Sequence, residues 1–126
     1  MIEAKLETVV DAWIAATEAG RGTPEHESNR WAISEVIDWK YEDEAELLWH
    51  FILAAYKREL SNEARACLAA GPLEDLLSDF GAEYIDRVEE LAAKDAQFNW
   101  LLGGVWRLNM TDDVWSRVQA ARRKVW

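Results

Sequence analysis

Few side chains in this sequence could do chemistry, and they are widely spaced. Glu46 and His50 lie four residues apart, a spacing that on a helix turns a carboxylate and an imidazole toward the same face. A di-iron bundle would need Glu-x-x-His pairs and further inward Glu, but the only other histidine is His26, in a loop. His50 therefore reads as a core-edge histidine beside a helical ion-pair neighbour. One cysteine and two separated histidines also fall short of a zinc site, so no metal is expected. A nucleophile needs a base and a group to orient that base. Cys67 has no histidine near it in sequence and shares an apolar stripe with Ala64 and Leu68, which reads as a small buried hydrophobe. Gly20-Arg21-Gly22-Thr23 has neither the Walker nor the dinucleotide-binding spacing and reads as a flexible connector. The carboxylate pairs Asp75 with Asp79 and Asp86 with Glu90 fit solvated helix faces. The sequence predicts no catalytic residue and no cofactor.

Charge narrows the partners. The 126 residues hold 24 Asp and Glu against 14 Lys and Arg, a formal net charge of −10. A surface field of that sign repels nucleic acid and anionic membrane, because polyanion binding relies on Lys and Arg displacing counterions. A single cysteine forms no internal disulfide, and the opening Met-Ile-Glu-Ala-Lys is not the basic start of a signal peptide. The longest apolar run, residues 47–56 with His50 inside it, is far short of the ~20 residues that cross a bilayer. We expect a cytoplasmic protein without a membrane span, and a single domain, since half of its residues are apolar and can form one core.

The apolar spacing is helical throughout. Ile2, Leu6, Val9, Trp13 and Ala16 form one stripe, with Glu3, Glu7, Asp11 and Glu18 outside it. The Gly20–Pro24 loop follows. Ser28 or Asn29 is expected to cap a second helix to about Lys40, with Ile33, Val36 and Ile37 inward. Asp43 is expected to cap a third, whose body from Leu47 to Leu53 is apolar nearly all round and belongs at the centre of the core. Ser61 caps a short helix, and Gly71-Pro72 reads as a C-terminal glycine followed by a first-turn proline. Leu73 to Phe80 then reads as a helix closed by Gly81, and Tyr84 to Lys94 as the next. Phe98, Leu101, Leu102, Val105 and Trp106 continue the pattern across Gly103-Gly104, a pair that costs about 1 kcal/mol per residue unless it permits close approach. Thr111 caps the last helix, with Val114, Val118, Ala121 and Val125 inward. About eight short helices and no repeat suggest a compact irregular all-α bundle, with stacked hairpins resembling a short solenoid as the alternative.

Gly71-Pro72-Leu73-Glu74-Asp75-Leu76-Leu77, followed by Gly81, Ile85, Glu89-Glu90, Ala92, Phe98, Leu102, Val105-Trp106 and Trp115, resembles a family of small bacterial helical proteins known only as a domain of unknown function. The resemblance spans roughly residues 45–120. Its motifs are packing and capping residues, so it implies a helical domain without implying a reaction.

Eight tryptophans, at 13, 31, 39, 49, 100, 106, 115 and 126, exceed what a core this small requires, so some belong near the surface. Trp and Tyr concentrate at binding hot spots because they bury large rigid areas at small entropic cost. From Glu35 to Trp49 the chain interleaves Glu35, Asp38, Glu42, Asp43, Glu44 and Glu46 with Trp39, Tyr41 and Trp49. That mixture suits capture of a basic protein, with the acids steering and Trp39 and Tyr41 anchoring. The expected role is an immunity-type or inhibitor protein that covers a toxin or nuclease. Two other readings remain open. One is a small-ligand binder or enzyme with a pocket of Trp100, Trp106 and Trp115 and a polar group from His50. The other is a self-associating adaptor such as a homodimer, in which residues 107–126, with a net charge of +3 from Arg107, Arg117, Arg122, Arg123 and Lys124 against Asp112 and Asp113, meet the acidic patch of a second copy.

Overall fold

The computed structural model describes the backbone of residues 2–126 and the side chains of residues 5–126; the sequence assignments of the Ile2 and Glu3 side chains lie outside the described residues. The elements are α1 (Ile2–Ala19), α2 (Pro24–Tyr41), α3 (Ala45–Tyr56), α4 (Asn62–Leu68), α5 (Glu74–Lys94), α6 (Ala96–Leu102) and α7 (Asp112–Ala121), with a π turn, Ala69–Leu73, joining α4 to α5. Because α4, the π turn and α5 run on without a break, the described residues form six helices on a joined count where about eight were expected. Among the described residues there is no strand. The architecture is a compact bundle.

α1 and α2 form a helical hairpin, and α3 packs against α1, α2, α4, α5 and α6, the central position that its near-continuous apolar surface requires. Phe51 on α3 meets Trp13 edge to face at 5.5 Å and Trp39 at 5.8 Å, while Phe98 meets Trp49 at 6.1 Å and Tyr56 at 5.3 Å. These aromatic contacts tie α1, α2 and α6 onto α3, each adding to the area it buries.

Several boundaries differ from the sequence reading, each for a local reason. α2 begins earlier than Ser28: Thr23 Oγ1 accepts from the His26 N–H and Pro24 occupies the first turn. Ser28 and Asn29 instead donate to the carbonyls of Pro24 and Glu25 inside the helix. Asp43 does not cap α3. With φ of 59°, it is the left-handed residue that ends α2, and the Glu44 N–H closes back on the Trp39 carbonyl at 2.9 Å, as a Schellman turn does. Gly71-Pro72 does not break the chain. The Glu74 N–H reaches the Ala69 carbonyl, five residues back, and this wider turn accommodates a proline that would clash in a regular α-helix. Nor does Gly81 close a helix; α5 kinks at Phe80 (φ −131°, ψ 20°) and continues. A Cβ on Gly81 would lie 2.9 Å from Val114, so glycine there lets α7 approach α5.

Gly103-Gly104 ends α6 after Leu102, leaving Val105 and Trp106 outside any helix. A Cβ on Gly103 would lie 2.0 Å from the Lys124 carbonyl, and one on Gly104 would lie 2.5 Å from the Trp126 ring. The pair thus seats the C-terminal segment, where Trp126 stacks on Trp100 at 4.3 Å and bonds to its carbonyl. α7 stops at Ala121, and Val125 is 58% exposed rather than inward.

Candidate functional site

Of the residues expected to contact a partner, Asp38 and Tyr41 are exposed on α2 and Glu42, Asp43 and Glu44 are exposed just beyond it, whereas Trp39 is buried. Trp39 is 3% exposed, held against Phe51, and offers no surface to a partner. Trp31 is 47% exposed, Ile37 44% and Tyr41 76%. At about 100° per residue, Asp38 and Glu42 fall within about 20° of Trp31 and Tyr41 about 80° to one side, while Ala32, Val36 and Trp39 lie about 80–140° round the other way. Along that face Trp31 and Tyr41 stand about 15 Å apart. The signal that separates Trp31 from Trp39 was present in the sequence: Ala32, Val36 and Trp39 share one helical stripe that Trp31 does not.

The acids around these aromatics divide into two groups. Asp38, Glu42, Asp43 and Glu44 are exposed and Glu35 is half-buried; among the described residues none of the five forms an ion pair. Glu46 is different. Its carboxylate accepts from the Arg87 guanidinium and from the Tyr84 hydroxyl at 2.9 Å. Those bonds hold it below the usual carboxylate range, and burial with the Glu46 bond pushes the Tyr84 hydroxyl up to about 12. Glu46 therefore links α3 to α5 and is withdrawn from steering. Lys40 lies 5.1 Å over the Tyr41 ring and pairs with Asp75 at 3.3 Å, fixing the end of α2 to α5. Burial keeps Asp75 above its ordinary range in spite of that lysine.

A cleft of about 380 Å³ opens along the inner edge of α2, between α1, α2, α4 and the π turn. Ile33, Val36 and Ile37 form one wall, Trp13 and Ala16 another, and Gly71 and Pro72 of the π turn the far side. Its polar lining includes Thr17, Glu18, Arg21, His26, Glu63, Cys67 and Asp75. Cys67, expected to be buried, is exposed here, and partial burial raises its thiol. Among the described residues it makes no hydrogen bond to a base, and the raised thiol stays protonated. Sequence reasoning missed this cleft because α1, the π turn and α2 converge only in the folded chain.

The residues of the expected tryptophan-lined pocket do not converge. His50 is exposed, not at the core edge. Trp106 is 64% exposed on the loop after α6, and Trp115 is covered by the Arg122 guanidinium at 4.9 Å. Trp100 borders a different, smaller pocket with Tyr56, Leu60, Arg65, Gln97 and Leu101. The basic C-terminal segment is also largely occupied. Arg117 pairs with Asp86 and Glu89, Arg107 with Asp112, and Arg122 donates to the Val105 carbonyl at 2.9 Å. Among the described residues no group of His, Cys, Asp and Glu could hold a metal ion, and no helix is long and apolar enough to cross a membrane.

No curated protein and no solved structure matches the chain. A family profile described as a family of unknown function, DUF6869, matches residues 19–125, which takes in α2 and the Gly20–Thr23 loop as well as the residues of the sequence resemblance. The chain belongs to that family.

Proposed function

We propose that this protein is a binding module that captures a basic protein through the outward face of α2, in an immunity-type or inhibitor role within the cytoplasm. The observation that carries this reading is the placement of Trp31 and Tyr41, 47% and 76% exposed, on the same helix face as Asp38 and Glu42. Large aromatic side chains left in water on an ordered helix lose the burial that would otherwise stabilise them; burying them against a partner recovers it. The unpaired acids beside them, in a chain of net charge −10, attract a basic surface over a long range and repel an acidic one. Affinity then resides in the aromatics, and the association rate in the acids. A toxin or nuclease with a basic active surface is the partner class that fits.

The test is recovery of the tagged protein from its native cells at low and then high salt, with mass spectrometry of what accompanies it. One basic protein, weakened at high salt and lost when Trp31 and Tyr41 are both replaced by alanine, supports the reading. A companion retained equally by that double variant counts against it.

A further inference from the structure

The cleft beneath α2 runs up to Ile37, which lines it, is 44% exposed and lies one helical turn before Tyr41. We propose that this cleft receives an arginine side chain of the basic partner, an inference that rests on the reading above and gives it a specific contact. His26 supplies the first observation. It is only 9% exposed, and its Nδ1 lies 3.0 Å from the Ala16 carbonyl. A carbonyl oxygen only accepts, so in the neutral ring the proton sits on Nδ1 and Nε2 is left as an acceptor. Among the described residues Nε2 has no partner, and the ring lines the cleft. Nε2 can therefore accept from a bound group, beside the donor the cleft already holds in Arg21.

Charge gives the second observation. Glu18, Glu63 and Asp75 line the cleft against Arg21, while Lys40 is already paired to Asp75. Glu18 is engaged by the Ser61 N–H and hydroxyl, which leaves Glu63 with no ion pair among the described residues. The space thus presents a ring nitrogen and carboxylates, with Arg21 among them, around an apolar interior. A guanidinium fits this set better than an ammonium: its donors spread in a plane, reaching separated acceptors at once, while its flat faces and alkyl stem pack on Trp13, Ile33 and Pro72. The volume of about 380 Å³ lies within the range of ordinary ligand sites. The π turn contributes by holding Gly71 open to the cleft, where a Cβ would meet nothing within 4 Å.

The probe is N-acetyl-arginine amide, titrated into the full chain and followed by the ring protons of the two histidines in proton NMR, with His50, exposed on α3, as internal reference. The expected result is a saturable shift of the His26 signals with His50 unmoved. The uncharged citrulline analogue should bind at least about tenfold more weakly, and Glu63→Gln, at an exposed position, should weaken the arginine probe several-fold. No His26 shift up to tens of millimolar, equal binding of the citrulline analogue, or tighter binding of the lysine counterpart overturns the proposal. Failure here with partner capture still dependent on Trp31 and Tyr41 removes this contact alone. Probe binding without that dependence removes the α2-face reading and leaves a site for a small guanidinium.

Discussion

Trp39 and Tyr41, two residues apart on α2, point to opposite sides of the helix: Trp39 is 3% exposed against Phe51, and Tyr41 is 76% exposed beside Lys40. One helix therefore supplies both a structural aromatic and a free one, and substitutions at the two positions should fail in different ways.

Trp39→Ala is expected to destabilise the fold by about 3–5 kcal/mol, because it opens a cavity beside Phe51. Trp31→Ala and Tyr41→Ala should each change stability by no more than about 0.5 kcal/mol while raising the off-rate of the partner complex about tenfold or more. Thermal melting and surface-immobilised dissociation kinetics check the two halves. A Trp39 variant that melts like the parent would contradict the core assignment.

Reversing Asp38 and Glu42 to lysine should slow association about tenfold at low salt, with the difference shrinking as ionic strength rises. Glu46→Gln should slow association much less, because it changes the charge by one unit, at a pair with Arg87, where the double reversal changes it by four. Stopped-flow association at several salt concentrations separates these cases. Equal slowing by all three substitutions would show that Glu46 belongs to the steering set.

The helical class and the central position of α3 were legible because period-3.6 apolar spacing carries through every segment and α3 is apolar nearly all round. The caps at Ser61 and Thr111 were legible for the same kind of reason: each is a hydroxyl whose oxygen accepts from the backbone three residues on. The Gly71-Pro72 junction was not, since its residues signal a break and only the folded backbone shows a π turn that absorbs the proline. Tyr41 was legible as a free aromatic and Trp31 was not singled out, because interest fell on the densest run of acids. The cleft was out of reach of local patterns altogether. His26 acquires its role from Ala16, a partner ten residues earlier on another helix.

Glu74 is buried at the start of α5, where the Trp106 N–H approaches its carboxylate at 3.4 Å. Burial raises it above its ordinary value of 4.5. A carboxyl that binds its proton more tightly folded than unfolded gives stability that falls as pH rises through that window. Glu74→Gln, which keeps an acceptor for Trp106, should therefore raise the melting temperature at pH 7 by a few degrees. The gain should vanish as pH falls to the value at which the native carboxyl is protonated. Melting curves of both proteins from pH 3 to 8 check the sign, and a gain that grows on acidification would contradict it.

Gly104→Ala should cost about 1–3 kcal/mol, because its Cβ would lie 2.5 Å from the Trp126 ring. In a Trp126→Ala background the same change should cost clearly less, the coupling expected of residues in contact. Near-UV circular dichroism should report loss of the Trp100–Trp126 stack in either single variant. Additive costs would place the Trp126 ring elsewhere.

The central claim is that the outward face of α2 holds a basic partner, and its most direct test is a side-by-side recovery from native cells using the parent protein and the Trp31→Ala/Tyr41→Ala variant, after both show the same melting temperature. We expect the parent to retain one basic protein that the variant does not, with retention falling at high salt. Equal recovery of the same companion by both proteins, or recovery of no basic protein by the parent at low salt, would contradict the claim.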